Sequence, residues 1–392
     1  MPNKSDRAGK RVTQLHGELS YPAFIPAPLP PNPPIEMDAE LLKLLSDADR
    51  ALGRLDGASE LLPNPDLFVA MYVRHEAVLS SQIEGTQSTL EDILAYESQA
   101  ADTPEDALEV VNYVVAMRFG LKRLADIPVC VRMIKELHRE LLNDVRGQEK
   151  NPGEFRKSQN WIGPANTPLA NATFVPPPPD EMLDAVGNLE RFIHDHEMPE
   201  LIHAGIAHAQ FETIHPFLDG NGRVGRLLIT LMLCERRVLK QPLLYISYYL
   251  KAHKQEYYDR LMAIRNEGDW EGWLKFFLRG VYQVSQAATR VARDIVNLRE
   301  EHRRQIQEAG LSAHGLAFLD FLYAKPDVSI TRVAEHLSCT YPTANKLVLN
   351  FEKLGIVREV TGQQRNRRYR YSRYVDLFQH QALVLPSQAA ND

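Results

Sequence analysis

The segment His215–Arg226 reads HPFLDGNGRVGR and combines one histidine, one aspartate, three glycines and two arginines in twelve residues. Leu227–Leu233 continues as an apolar, helix-favouring run, so we expect Gly222–Arg226 to form the first turn of a helix. A helix start has free backbone N–H groups and the positive end of the helix dipole, and glycines allow an anion to approach closely. This signature segment, residues 215–226, therefore predicts a polyphosphate site with a histidine beside it.

The chemistry of these residue types suggests a role for each. A hydroxyl is a poor nucleophile until a base takes its proton, and histidine is well suited to that task near pH 7, so His215 is the candidate general base. Asp219 is a hard oxygen ligand suited to Mg²⁺. Arginines bind phosphate oxygens in a planar, bidentate geometry, and glycine and asparagine supply backbone and amide donors. The predicted phosphate-binding residues are Gly220, Asn221, Gly222, Arg223, Gly225 and Arg226.

The signature segment matches the pattern HPF-x-(D/E)-GNGR-x-x-R and so resembles the signature of the Fic family. The resemblance implies a mostly α fold, with a Fic-type helical core and a short β-hairpin flap. It also implies a protein adenylyltransferase that moves AMP from ATP, with Mg²⁺, to a Ser, Thr or Tyr hydroxyl. Family members that phosphorylate replace the second glycine of the signature, so the retained Gly222 favours AMP transfer.

A second motif lies upstream, where Asp66–Gly85 reads as a helix that ends in SSQIEG. By composition alone Glu84 is a solvated residue at a helix end, although a carboxylate there opposes the helix dipole. Ser80, Glu84 and Gly85 resemble the inhibitory motif (S/T)-xxx-E-(G/N) of one Fic subclass. That resemblance implies an ion pair between Glu84 and Arg226 that keeps the arginine from the γ-phosphate of ATP. It also implies that Glu84 could orient a water molecule for the reverse reaction, the removal of AMP.

Composition indicates a cytoplasmic protein. The chain has 392 residues, 44% of them hydrophobic, and lacks a run of about eighteen apolar residues, so we expect no membrane span. The first residues lack the apolar segment of a secretory signal. Cys130, Cys234 and Cys339 are few and far apart, which indicates neither disulfides nor a metal cluster. His203 and His208 precede His215 at spacings that fit no zinc pattern, and we interpret them as core or surface histidines.

Prolines and helical periodicity divide the chain. Residues 1–36 carry prolines at 22, 26, 28, 30, 31, 33 and 34. Such a segment could be a linker, a ligand for a partner or an irregular strap across the core, and we favour the strap. Residues 37–150 are predicted as a helical region with the inhibitory helix, and residues 151–300 as the catalytic core. Within the core, residues 151–179 break the helical pattern.

Two β-prone pieces in this break, Asn160–Ile162 and Thr173–Val175, predict a hairpin near the active site, with an ordinary loop as the alternative. In the Fic family a flap at this position binds the target protein by strand addition. Further along, Tyr257, Tyr258 and Asn266 lie at a distance that resembles the adenine side of the family's nucleotide pocket.

Residues 311–375 read as three helices followed by two short strands, Ile356–Val360 and Arg367–Tyr371, and resemble a winged helix, with residues 376–392 as a tail. Ten Lys and Arg residues against five Asp and Glu in 311–375 suit a DNA partner. Winged helices also bind proteins, so a DNA or a protein partner remains open.

Two classes of function compete. One is an autoinhibited adenylyltransferase, and the other is a DNA-binding transcriptional regulator whose Fic domain senses a nucleotide. An intact His215, Asp219 and Arg226 favours the enzyme, because a sensor needs no base. Self-modification, a homodimer, the target protein and the signal that relieves the inhibition stay open.

Overall fold

The computed structural model describes residues 4–16, 20–60, 65–98, 104, 106–164, 167–311 and 313–379. The mostly α fold is confirmed. Eleven helices precede the C-terminal module in this part of the chain: α1 (Ala39–Glu60), α2 (Pro65–Ile83), α3 (Leu90–Glu97), α4 (Ala107–Arg123), α5 (Val131–Leu141), α6 (Pro179–Ile193), α7 (Glu200–Ile214), α8 (Asn221–Glu235), α9 (Ser247–Ala252), α10 (Lys254–Glu267) and α11 (Trp270–Glu308). None of the described helices has the length and apolarity needed to cross a bilayer.

The paired helices α7 and α8 form the centre of the core. Every side chain from Leu201 to Ile214 is buried, which agrees with the small and apolar residues on all faces of α7. His203 lies in this core, where its Nε2 contacts the carbonyl of Phe192 at 2.7 Å. Around the pair, α4 packs on α2, α5 and α8, and α11 packs along α1. The signature segment therefore lies at the junction of the two most buried helices.

The N-terminal segment corrects the prediction of an irregular strap. A hairpin forms between β1 (Gly9–Gln14) and β2 (Tyr21–Pro26), which pair antiparallel with Gly9 opposite Pro26. In an antiparallel pair, the backbone N–H and carbonyl groups of successive residues point alternately toward the partner strand and away from it. The N–H of Phe24 points away from β1 and donates to the carbonyl of Val175 at 2.9 Å. Pro22 and Pro26 share that orientation, so neither removes a hydrogen bond from the hairpin.

Beyond the hairpin, the segment does lie across the helical core. The buried Arg7 donates from Nε to the carbonyl of Gly268 at 2.9 Å and forms an ion pair with Glu271. Gln210 on α7 donates to the carbonyl of Ala27 at 3.0 Å. These contacts hold the N-terminal segment against α7, α10 and α11.

The predicted flap hairpin is shorter than expected. Ile162 and Phe174 form a single antiparallel bridge, with N–H to carbonyl distances of 2.8 and 3.1 Å, instead of two paired strands. A 3-10 turn over Leu169–Asn171 lies between them, and residues 165 and 166 fall outside the described part of the chain. The flap, residues 151–179, is thus mostly a loop, because its prolines and glycines limit regular pairing.

The C-terminal module, residues 311–379, follows the predicted order of elements and adds two. It contains α12 (Ala313–Ala324), β3 (Asp327–Ser329), α13 (Ile330–His336), α14 (Tyr341–Lys353), β4 (Arg358–Glu359), β5 (Arg368–Arg370) and α15 (Ser372–Gln379). The sheet is antiparallel in the order β3-β5-β4, so β3 is a strand that the sequence analysis missed. The winged-helix assignment stays a prediction.

Two predicted boundaries fall inside helices. The helix α11 continues to Glu308, so residue 300 lies inside a helix, and α15 extends to Gln379 across the expected start of the tail. Residues 380–392 lie outside the described residues. The ring of Phe378 on α15 packs on Tyr72 of α2, with centroids 5.1 Å apart, which explains why the helix continues there.

Candidate active site

The signature segment forms a tight connection between α7 and α8. His215 ends α7 with φ 50°, and Gly220 precedes α8 with φ 76°, a conformation that glycine adopts without strain. The side chain of Asn221 accepts from the Phe217 N–H at 2.9 Å and donates to the Phe217 carbonyl at 2.8 Å. The amide of Asn221 therefore closes the loop, and the predicted contact with phosphate falls to its backbone N–H.

His215 is half-buried, and the contact of its Nδ1 with a carbonyl favours one tautomer. Nδ1 lies 3.4 Å from the carbonyl of Glu212, which can only accept, so Nδ1 carries the proton and Nε2 keeps its lone pair. Burial lowers the pKa of His215 to about 4, and the positive charge of Arg265 acts in the same direction. The imidazole is thus neutral at physiological pH and able to accept a proton.

Asp219 lies four residues beyond the histidine, with its side chain 37% exposed. Its Oδ1 accepts from the Gly220 N–H at 2.6 Å and lies 3.5 Å from a guanidinium nitrogen of Arg223. Within the described part of the chain no cluster of three or more His, Cys, Asp or Glu side chains could hold a metal. A single exposed carboxylate beside a phosphate site nevertheless fits Mg²⁺, which commonly binds one or two carboxylates together with substrate phosphates and water.

The structure brings Arg226 together with the upstream motif, although 142 residues separate it from Glu84. Its Nη2 donates to Glu84 at 2.6 Å and to the Ser80 carbonyl at 3.0 Å, while Nε donates to the Ser80 hydroxyl at 2.8 Å. Burial disfavours both charges, but their mutual attraction holds the pKa of Glu84 below its ordinary value and raises that of Arg226. Gly85, with φ 102°, follows directly and ends the helical region.

Two glycines of α8 leave room for carboxylates. A Cβ on Gly222 would overlap the Glu84 carboxylate, so a side chain at this position would displace Glu84 from its place beside Arg226. A Cβ on Gly225 would lie 2.5 Å from a carboxylate oxygen of Glu212. Gly225 thus faces the protein interior, in contrast to its predicted role in binding nucleotide.

Arg223 is buried and contacts the carboxylates of Glu109 on α4 at 3.3 Å and of Asp219 at 3.5 Å. Glu109 also lies 3.5 Å from Arg146. Both signature arginines are therefore paired with carboxylates in this structure, and Glu109 was not identified from the sequence.

The three adenine-side residues have different environments. Tyr257 is 1% exposed and its hydroxyl contacts Nε2 of His208 at 2.9 Å, so this ring belongs to the core. Tyr258 is 38% exposed and is free to face a ligand. Asn266 is exposed, and its side chain accepts from Arg11 of the N-terminal hairpin at 2.8 Å. Of these predicted residues, the geometry keeps only Tyr258 as a candidate for stacking on a base.

The sequence analysis missed three residues that position the loop. Arg156 and Asn160 donate to the carbonyl of His215 at 3.0 and 3.2 Å, and Asn160 also donates to the Phe217 carbonyl at 2.8 Å. His138 stacks on Phe217 at 3.7 Å and donates from Nε2 to the Asp219 carbonyl at 3.0 Å. Arg156 and Asn160 lie in GEFRKSQNW, a polar stretch read only as flap, whereas His138 had no local signal.

Comparison with known proteins is consistent with this geometry. Residues 42–122 match the Fic/DOC family N-terminal model, and residues 128–233 match the Fic/DOC family model. These two segments of the chain are therefore similar to the Fic/DOC family. Both matched ranges together contain the Ser80–Gly85 motif and the complete signature segment.

The chain is similar to named relatives in sequence and to a solved structure in fold. The proteins named protein adenylyltransferase Fic of Drosophila ananassae and Drosophila melanogaster are each 29% identical over 195 residues, which is 49% of this chain and 35% of each relative. The match therefore spans about a third of the length of these relatives. A crystal structure of a Fic family protein from Desulfovibrio desulfuricans G20 has a TM-score of 0.56 at 20% identity, covers 86% of this chain and 97% of its own, and supports the fold.

Proposed function

We propose that this protein is a Fic-type adenylyltransferase, which transfers AMP from ATP to a Ser, Thr or Tyr hydroxyl of a target protein. The observation that carries the proposal is the placement of His215, a neutral base with Nε2 available, beside the first turn of α8. The Drosophila relatives named protein adenylyltransferase Fic support the same reaction. A nucleotide sensor would need the phosphate site but would have no use for the base, so the enzyme is the better supported class.

The reaction follows from these positions. Nε2 of His215 takes the proton of the attacking hydroxyl, whose oxygen forms a bond to the α-phosphorus of ATP. The bond between the α-phosphorus and the bridging oxygen breaks, and pyrophosphate leaves. The free N–H groups at the start of α8 bind phosphate oxygens where negative charge is concentrated. Asp219 would hold Mg²⁺, which neutralises part of the phosphate charge.

The same geometry supports autoinhibition. In the described conformation three hydrogen bonds occupy Arg226, two to Ser80 and one to Glu84. We propose that the arginine must leave Glu84 to bind the γ-phosphate, and that ATP otherwise binds with its α-phosphate out of line. A charge-assisted hydrogen bond contributes about 1.5–3 kcal/mol net, which corresponds to roughly 10- to 100-fold in productive binding.

We propose that the target protein binds along the flap by strand addition. The backbone N–H and carbonyl of Ile162 both point to Phe174. Because successive residues of a strand alternate, the backbone N–H and carbonyl groups of Trp161 and Gly163 point to the opposite edge of this strand. On the other side of the bridge, the Val175 carbonyl already accepts from Phe24. The edge of Trp161–Gly163 is therefore the better candidate for a target strand.

For the C-terminal module we propose a winged helix that recruits a partner. The arginines of the loop between β4 and β5, Arg365 and Arg367, suit a phosphate backbone, while the fold is equally compatible with a protein partner. Binding of duplex DNA to the full-length chain at two salt concentrations distinguishes these partners, because contacts with phosphate weaken strongly as salt rises.

The decisive experiment uses wild type, Glu84→Gly and Glu84→Gly/His215→Ala with Mg²⁺ and ATP labelled on the α-phosphate, in a cell lysate and alone. We expect protein-bound label from the α position that is strongest in Glu84→Gly and absent in the double variant. ATP binding by the double variant should persist, because the base acts in the chemical step. Label from γ-labelled ATP would identify a kinase, and no label from either ATP would contradict the proposal.

A further inference from the structure

Arg265, in the last turn of α10, is a buried cation in an unusual environment. It is 6% exposed, donates from Nη2 to the Glu212 carbonyl at 3.1 Å, and donates from Nε to the Thr213 hydroxyl at 3.2 Å. Its guanidinium lies 3.9 Å from the centre of the Phe174 ring in the flap. These partners are neutral, and among the described residues no carboxylate lies within ion-pair distance, although the Glu212 carboxylate acts on the charge from farther away.

Such a location is costly, because burial removes hydration that neutral groups replace only in part. The Glu212 carboxylate attracts the charge and acts to raise the pKa of Arg265, but burial has the larger effect. Burial lowers the pKa of Arg265 to about 10, so the side chain still carries its proton at neutral pH. Further compensation comes from the C-terminal end of α7, where unpaired carbonyls and the negative end of the helix dipole favour a cation. One of these carbonyls, that of Glu212, is also the group that accepts from Nδ1 of His215.

We propose that Arg265 is a positioning residue for the base: it holds the Glu212 carbonyl that sets the tautomer of His215, and it connects that carbonyl to the flap through Phe174. This inference rests on the proposed function, in which His215 accepts the proton of the target hydroxyl. Arg265 contacts both the flap, to which we assign target binding, and the carbonyl that orients the base. A flap displaced from Arg265 would thus loosen the orientation of His215.

The charge of Arg265 adds a second effect on the same histidine. Three charged groups act on His215: Arg265 on α10 and Arg156 in the flap lower its pKa, whereas Glu84 after α2 raises it. A base with a lowered pKa is neutral above that pKa and loses activity as the pH falls through it. Removal of the Arg265 charge is therefore expected to raise the pKa of His215 and to move the acid limb of the rate profile to higher pH.

The test compares Arg265→Met and Arg265→Lys in the Glu84→Gly background. Arg260→Met is the matched control, because Arg260 lies on the same helix, is 37% exposed and pairs with Glu256. The readouts are the titration of the His215 imidazole by NMR and the pH profiles of kcat and KM for AMP transfer.

We expect Arg265→Met to raise the pKa of His215 by about one unit and to lower kcat at least about tenfold, with KM for ATP nearly unchanged. Arg265→Lys keeps the charge but cannot reproduce both hydrogen bonds and the contact with the ring. It should lower kcat without moving the titration. Arg260→Met should behave like its parent.

If Arg265→Met lowered kcat but left the pKa of His215 unchanged, Arg265 would be only a packing residue and the inference would be overturned. Should Arg265→Met fail to fold, Arg265→Lys decides, since a kcat equal to that of its parent would overturn the inference as well. A Glu84→Gly parent that transfers no AMP would contradict the proposed function. The NMR titration would even then report whether Arg265 acts on His215.

Discussion

Arg223 and Arg226 lie one turn apart on α8 and are both buried, yet the carboxylates that pair with them are held differently. Glu109 lies within α4, has a side chain 7% exposed and also contacts Arg146. Glu84 follows the end of α2, has a side chain 35% exposed and precedes Gly85. A carboxylate fixed inside a helix orients its arginine, whereas one at a helix end can be displaced by a ligand phosphate. We infer that only the pair at Arg226 is exchangeable.

The largest expected effect comes from removal of the exchangeable carboxylate. Glu84→Gly should raise the rate of AMP transfer by roughly 10- to 100-fold, because Arg226 becomes available to the γ-phosphate. Initial rates with α-labelled ATP measure this, and Glu84→Gln, which keeps an acceptor without the charge, should give an intermediate rate. An unchanged rate in Glu84→Gly would show that the pair does not limit the reaction.

The fixed carboxylate should respond in the opposite direction. Glu109→Gln is expected to give no activation of the wild type, and in the Glu84→Gly background it should lower transfer by about tenfold, because Arg223 loses the charged partner that orients it. The measurement is kcat and KM for ATP in both backgrounds. Activation by Glu109→Gln would mean that the Glu109–Arg223 pair is inhibitory like the Glu84–Arg226 pair. The proposed difference between the two arginines would then be wrong.

A smaller effect is expected at Ser80, whose hydroxyl accepts from Nε of Arg226 at 2.8 Å. Ser80→Ala should raise wild-type transfer by roughly two- to tenfold, because one hydrogen bond of the inhibitory arrangement is lost while Glu84 remains. Ser81→Ala is the matched control, since the neighbouring Ser81 hydroxyl is buried without a hydrogen-bond partner in the described residues. Equal activation by both variants would indicate a general loosening of α2.

The smallest effect concerns pH. The pKa of Glu84 is lowered in the folded protein, so its pairing energy is fully present above the ordinary value of 4.5 and is lost only as the pH falls through the lowered pKa. The ratio of the Glu84→Gly rate to the wild-type rate should therefore stay constant between about pH 6 and 8. The pKa of His215 is lowered to about 4, and removal of Glu84 lowers it further, so the imidazole is neutral in both proteins over this range. A ratio that falls as the pH drops from 8 to 6 would assign the inhibition to another group.

Some of the site could be predicted because its information is local. The order of residues in the signature segment is sufficient to indicate a loop, a helix start and an anion site, since glycine conformations and helix termini depend on neighbours along the chain. The apolar Phe217 of this segment is fully buried. The partner of Arg226 came only from resemblance to a family, because nothing near residue 226 indicates residue 84.

Other features could not be predicted because their partners are distant along the chain. His138 contacts Asp219 across 81 residues, and Arg156 contacts His215 across 59. The N-terminal hairpin was missed because prolines usually exclude strands, and only the pairing register shows that Pro22 and Pro26 point away from β1. Propensity and spacing carry no information on such orientations.

By itself, the sequence determined the helical class, the signature segment and the residue types needed for base, metal ligand and phosphate contacts. Tertiary structure alone decided which of these groups are free and which are paired. It places Glu84 and Ser80 on Arg226, Glu109 on Arg223, and Tyr257 in the core while Tyr258 is exposed. The physical reason is that helix formation depends on neighbouring residues, whereas burial and ion pairing depend on how distant helices pack.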